Sequence, residues 1–278
     1  MESAQPERLR RSPGRGSAMR HHSSVVEFQQ KRGGDSAAFF VPFLTSDMVL
    51  LDAGCGPGTI TAALAAMVGT AVGVDIEPKA IAAANRLAAR ADLTNVTFVE
   101  ADMTALPFED GAFDAVFFHA VLYHQNRATL TSTLAEARRV LKPGGMLGTR
   151  DADASGNILH PELDGVRLAL DLWQRWYEHD DPEALRFGRR QGSILRAHGF
   201  TPVWIGASYV NHSANAASRS EAVADARRSL LGLGPQLVGK GLAREDEIQV
   251  ALAGWEIWGA DPDSVYFRCR CECVARKD

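Results

Sequence analysis

Four groups of residues in this chain have types and spacings that could do chemistry. Asp52-Ala53-Gly54-Cys55-Gly56-Pro57-Gly58 sets three glycines at alternate positions behind an aspartate. Glycines at that spacing allow a tight turn and bring backbone N–H groups close to a ligand with no Cβ in the way. Asp75 and Asp102 each close an apolar run, where a carboxylate can accept from the hydroxyls or the amino group of a nucleoside. His119 and His124 follow a further apolar run and bring ring nitrogens that could take a proton, and Arg150-Asp151 follows another.

The elements that must position these groups read as alternating strands and helices. Val49–Leu51 is a buried strand, and Thr59 opens a helical pattern through Ile60, Leu64 and Met67 whose positive end points at the glycine loop. Ala71–Asp75, Phe98–Asp102 and Phe113–Phe118 supply three more strands, with an Ala-rich helix from Pro78 to Ala91 between the second and third. Leu141-Lys142-Pro143-Gly144-Gly145 stops a helix, and a fifth strand follows from Met146 to Thr149. In an open α/β sheet ligands bind at the carboxyl ends of the strands, which is where every acid and histidine named above falls.

The series resembles the class I S-adenosylmethionine-dependent methyltransferases, above all the branch with the ubiquinone and menaquinone C-methyltransferases. The resemblance is continuous from about Ser36 to Thr149. The loop separates two cofactor readings, since a dinucleotide site wants G-x-G-x-x-G and this chain has D-x-G-x-G-x-G. A methionine moiety and a sulfonium need a carboxylate nearby and no pyrophosphate cradle. The resemblance implies a Rossmann-like α/β fold: a seven-stranded, mostly parallel sheet with helices on both faces and a helical cap inserted before the last strand. It implies S-adenosylmethionine as cofactor, held by Asp52, Ala53, Gly54, Cys55, Gly56, Gly58, Asp75, Ile76, Ala101, Asp102, Met103, His119 and His124. Asp75, rather than Glu77, matches the ribose-binding position; Asp102 would accept from the adenine amino group while Met103 packs on the ring. His119, Arg150 and Asp151 are the candidates for contact with the acceptor or for catalysis.

The same resemblance divides the chain into a flexible tail (1–20), lid helices (21–45), a core (46–213 and 263–278, with acceptor-side helices in 161–199) and a cap (214–262). The core fold would join its last two strands by a short hairpin, so the residues from Asn215 to Gly259 read as a two-helix insertion over the substrate pocket. Arg8, Arg10, Arg11, Arg15 and Arg20 lie among Pro, Gly and Ser, which argues for a flexible tail; the alternative is an arm that contacts a neighbouring subunit of a homo-oligomer. His21 and His22 read as surface residues.

Composition narrows the partners. A net charge of −4 gives no general attraction for nucleic acid or anionic lipid, and no apolar run approaches the roughly 20 residues needed to cross a bilayer. The Arg-rich start has no apolar segment behind it, so a secretory signal is not expected and a cytoplasmic enzyme is. The segment after His119 lacks the Asn/Asp-Pro-Pro-aromatic signature of methyltransferases acting on adenine amino groups or glutamine amides, which leaves a small-molecule acceptor. Cys269, Cys271 and Cys273 share one strand face and could bind a soft metal; burial as small hydrophobes is the favoured reading, with no metal expected.

A sulfonium already makes its methyl group electrophilic, so an enzyme of this class works chiefly by alignment, and the lack of an obvious base does not weaken the assignment. The expected activity is methyl transfer to an apolar or aromatic small molecule of specialised metabolism, with the aromatics of the C-terminal half lining its pocket. The alternatives are C-methylation of an isoprenoid double bond, with carbocation formation and cyclisation, and a non-catalytic cofactor-binding assembly partner.

Overall fold

The computed structural model describes residues 33–179 and 184–278. The tail and most of the lid segment, including His21 and His22, lie outside these residues. The part of the lid that is described is not the continuous helix its pattern suggests. It forms two 3-10 turns, Gly34–Ala37 and Val41–Phe43. Pro42 offers no N–H and disfavours helical geometry before it. What fixes this segment is packing: Phe40 is fully buried and its ring stacks 5.7 Å from Phe117.

Among the described residues eight strands form one sheet: β1 (Val49–Ala53), β2 (Thr70–Asp75), β3 (Val96–Glu100), β4 (Phe113–His119), β5 (Leu141–Ala152), β6 (Ile158–His160), β7 (Phe200–Asn211) and β8 (Val265–Lys277). Their order is β3-β2-β1-β4-β5-β8, with β7 on the other edge of β8 and β6 beside its beginning. β3 through β5 pair in parallel, while β8 runs antiparallel to β5, β6 and β7. The eighth strand is the three-residue β6, too short to show as a period in sequence. The fifth strand begins earlier than its pattern suggests: Leu141 already pairs with Phe113, and the register then shifts before Met146 meets Ala115. Pro143-Gly144-Gly145 is therefore an irregularity inside β5, with Gly144 at φ 74°.

Helix α1 (Thr59–Ala65) stops short of Met67, which is exposed; the Asn95 side chain donates to the carbonyls of Ala65 and Val68 just past its end. Helix α2 (Pro78–Arg90) starts with Glu77 accepting from the Lys79 amide. Alternate strand residues face opposite layers. Leu50, Ala115, Phe117 and Val274 pack with Ile60 and Leu64 of α1. Leu51, Val116, Phe118 and Leu147 pack with α3 (Arg127–Val140) and α5 (Phe187–Ala197) on the other side. Cys273 belongs to that second core, and Cys271 lies against Gly188 of α5. Among the described residues, no cluster of His, Cys, Asp or Glu is placed to hold a metal ion, and no helix is long and apolar enough to cross a membrane.

β7 and β8 pair along their length but are joined through α6 (Ala216–Gly239) and α7 (Glu245–Ala260). These two helices share one apolar core with α4 (Asp164–Glu178): Val166 and Leu172 meet Leu230, Leu237, Ile248, Trp255 and the fully buried Trp258. α4 and α7 cross with almost no separation, since a Cβ on Gly254 would lie 2.5 Å from the Gly165 carbonyl carbon. Residues of α4 and α6 line the space described next, with α7 packed behind them.

Candidate active site

A cavity of about 450 Å³ opens at the carboxyl ends of β1, β2 and β4. Its floor is Asp52, the loop Gly54–Pro57, Asp75, His119 and Ala120, and it continues up to Tyr123, His124, Trp173, Tyr177 and Tyr266. The loop has its shape because Gly54, Gly56 and Gly58 all take positive φ, at 82°, 54° and 79°. Gly58 is also confined by volume: a Cβ there would lie 2.6 Å from the Phe98 ring.

The loop amides are turned inward rather than towards a ligand. Gly54 and Cys55 donate to the Val74 carbonyl, Gly58 donates to Cys55, and Gly56 donates to Asp75 at 2.9 Å. The glycines thus shape the floor, and the polar groups offered to a ligand are side chains. Asp75 also accepts from the Glu77 amide at 3.0 Å. A carboxylate has about four acceptor sites, so Asp75 keeps capacity for a diol.

Asp52 is buried and accepts from Thr61 Oγ1 at 2.5 Å. Burial pushes its carboxyl up to about 7; the Thr61 hydrogen bond pulls the other way, and the nearby Asp75 charge adds to the rise. A cationic ligand end would favour its ionised form. Ala53 is core and does not reach the cavity, while Cys55 lines it with a thiol packed among Ile81, Ala84 and Phe98 and pushed well up by burial.

Ile76, Ala101, Asp102 and Met103 form a rim beyond the cavity. The Ala101 amide donates to the Asp75 carbonyl at 3.0 Å, so the ends of β2 and β3 are level. Ile76 is 51% exposed, Met103 is buried, and Asp102 Oδ1 accepts from both the amide and the hydroxyl of Thr104. The Leu106-Pro107-Phe108 loop behind them is clamped by α3: Glu136 accepts from the Leu106 amide, and Arg139 donates to the carbonyls of Leu106 and Phe108.

The charged run after the fifth strand is engaged within the protein. Arg150 and Asp151, expected at the acceptor, do not line the cavity; only Ala152 of that stretch does. Arg150 is buried and donates to Glu272 at 3.0 Å and to Ser208. Asp151 is fully buried and accepts from Thr149; burial pushes it up to about 6, against the opposing pull of Thr149 and Arg270. Asp153 accepts from the Arg189 guanidinium and amide. The reason is strand register: Arg150 lies directly opposite Glu272, a partner 122 residues away that no local pattern reveals.

His119 does reach the cavity, with its Nε2 3.0 Å from Arg150 Nη1. A guanidinium only donates, so this nitrogen is the acceptor in the contact. Ala120 then takes a left-handed backbone at φ 53°, a conformation costing about 1–2 kcal/mol outside glycine, where β4 turns into the cavity wall. His124 and Tyr123 pack with Tyr177, at ring separations of 5.7 and 5.8 Å.

The upper wall contains residues that carry no motif. Arg268 and Arg270 of β8, Asp171 of α4, and Asp225 and Arg228 of α6 all face the cavity. Their only sequence signal is a pair of arginines alternating with the cysteines of the last strand.

Comparisons with known proteins agree with this geometry. A family model described as a methyltransferase domain matches residues 50–145. A relative from Aspergillus luteorubrus, the probable methyltransferase ltbC, is 31% identical over 282 residues, covering 92% of this chain and 95% of its own. A Bacillus halodurans protein of solved structure shares the fold with a TM-score of 0.59 at 20% identity, covering 88% of this chain and 99% of its own. The [4+2]-cyclase SpnF shares it with a TM-score of 0.51 at 21% identity, covering 91% and 80%.

Proposed function

The chain belongs to the class I S-adenosylmethionine-dependent methyltransferases, and on that footing we propose that it methylates an aromatic or otherwise apolar small molecule of specialised metabolism. One observation carries the reading. A single cavity runs from the glycine loop and Asp75, past His119, to the aromatic wall of Tyr123, Trp173, Tyr177 and Tyr266. Its volume lies in the range of small-molecule sites, about 300–1,000 Å³. The relative from Aspergillus luteorubrus, a probable methyltransferase, supports the methyl-transfer part of the reading.

The residues present fit the cofactor. When bound, it supplies an electrophilic methyl group. Asp75 takes the ribose hydroxyls with the lone pairs left over from Gly56 and Glu77. Ile76 offers an exposed apolar surface that would suit the base. Asp52 places negative charge at the loop, where the amino acid end and sulfonium are expected. His119, held by Arg150 at the cavity floor, would act as a positioning group for the reactants. Holding the reactants in line can lower a barrier by roughly 7–11 kcal/mol, against the 10²–10⁴-fold typical of a general base. Acceptor alignment by the aromatic wall is therefore the larger contribution.

The isoprenoid reading asks aromatic faces to stabilise a carbocation. One face of Trp173 is occupied by Arg268, whose guanidinium carbon lies 5.6 Å from the ring centroid, so the aromatic acceptor is favoured.

The test is calorimetric titration with S-adenosylhomocysteine, followed by incubation with methyl-labelled S-adenosylmethionine and an extract of small molecules. Binding with labelled product is expected. Binding without any product would assign a non-catalytic cofactor-binding role, and absence of binding would overturn the reading.

A further inference from the structure

The upper half of the cavity is not merely apolar. Arg268 and Arg270 stand two residues apart on β8, hence on one face of the sheet, and both line the cavity. Arg270 is only 5% exposed, and Arg268 lies against Trp173. Three carboxylates on the same walls serve other groups, while the buried Asp151 feels the charge of Arg270. Asp171 pairs with Arg175 at 2.5 Å, Asp225 with Arg228 at 2.9 Å, and Glu178 accepts from Gln174 at 2.8 Å. No ion pair among the described residues involves Arg268. The resulting positive field reaches its neighbours: His212 is pushed down to about 3 by burial and by the charges of Arg268 and Arg270.

Distance gives the position of this charge relative to the methyl group. The sheet order and register put Glu272 two strand spacings, about 10 Å, from His119, with Arg270 two residues and Arg268 four residues farther along β8. A bicyclic aromatic acceptor with a reacting atom near His119 would bring a substituent on its far end to the two guanidiniums. Arginine forks match planar carboxylates and phosphate oxygens with paired, charge-assisted hydrogen bonds.

We infer that the methyl acceptor carries an anionic oxygen group, a carboxylate or a phosphate ester, which Arg268 and Arg270 hold while its aromatic body lies against Tyr123 and Tyr177. The inference rests on the methyl-transfer reading and narrows its substrate class. The two arginines are specificity residues, since they contact the acceptor away from the reacting atoms.

The experiment uses three probes of one shape: 2-naphthoate, 2-naphthyl phosphate and the neutral 2-naphthamide. Each is titrated by calorimetry into the full chain saturated with S-adenosylhomocysteine. At least one anion should bind tenfold or more tightly than the amide, and comparison of the two anions tells carboxylate from phosphate. Arg268→Gln should remove the preference, whereas Arg227→Gln, an exposed change on the outside of α6, should keep it. Arg270 is buried, so Arg270→Gln is read only after its melting curve matches the wild type; Arg268→Gln decides the matter otherwise. Equal affinity for all three probes, no binding of any, or an undiminished preference in Arg268→Gln would overturn the inference. The preceding cofactor titration is a separate readout: its failure would remove the methyl-transfer reading instead.

Discussion

His119 Nε2 and Arg150 Nη1 lie 3.0 Å apart, side by side on paired residues of β4 and β5. The same guanidinium reaches across the sheet to Glu272, so one buried arginine links the cavity floor to the last strand. Removing it would leave a carboxylate buried without its cation. Arg150→Met should therefore lose roughly 3–5 kcal/mol of stability in urea denaturation. The double variant Arg150→Met/Glu272→Met should recover much of that loss, because neither charge then remains buried. Equal losses in both variants would show that the pair is not the cause.

Asp52 makes stability and cofactor affinity depend on pH in opposite senses. Its carboxyl stands at about 7 against an ordinary 3.8. Between those values the folded state holds a proton that the unfolded chain has released, so stability falls as pH rises from about 4 to 7 and levels off above. The linkage amounts to roughly 4 kcal/mol. Asp52→Asn should flatten this slope in denaturation curves taken from pH 5 to 8. Affinity for S-adenosylmethionine should rise over the upper part of the same interval with release of a proton, measurable by calorimetry in two buffers of different ionisation enthalpy.

Asp75 both shapes the loop through the Gly56 amide and offers lone pairs to a diol. Asp75→Ala should weaken S-adenosylhomocysteine binding at least tenfold by calorimetry. Asp75→Asn keeps one acceptor oxygen for Gly56 and should fall between. An unchanged affinity in Asp75→Ala would remove this residue from the ligand site.

The cap can be loosened without touching the floor. Gly254→Ala places a methyl 2.5 Å from backbone of Gly165, so α4 and α7 must separate. A stability loss of about 1–3 kcal/mol is expected. S-adenosylhomocysteine should still bind with near wild-type affinity while the KM for an identified acceptor rises. Loss of both affinities together would show that the cap and the cofactor floor are one cooperative unit.

The first four strands and the glycine loop were legible because they are local. A short apolar run, an acid at its end and glycines at fixed intervals are all visible within ten residues of sequence. Asp52, Asp75 and His119 reach the cavity for the same reason, since each ends a strand at the carboxyl edge of a parallel sheet. Arg150 and Asp151 looked equally well placed and were not. Their strand pairs with β8, whose Glu272 claims Arg150, and alternation turns Asp151 into the packed layer.

By itself, then, the order of residues determined the glycine-loop end of the cavity. Backbone conformation at Gly54, Gly56 and Gly58, and the identity of the acids beside them, are short-range properties that a sequence states directly. The upper wall of the cavity was decided only by tertiary structure. Arg268 and Arg270 reach the cavity wall when β8 docks beside β5, and α4 lays Trp173 against Arg268; that pairing joins segments about a hundred residues apart. Long-range register, which no periodicity encodes, selected which charges are used up in the core and which face the cavity.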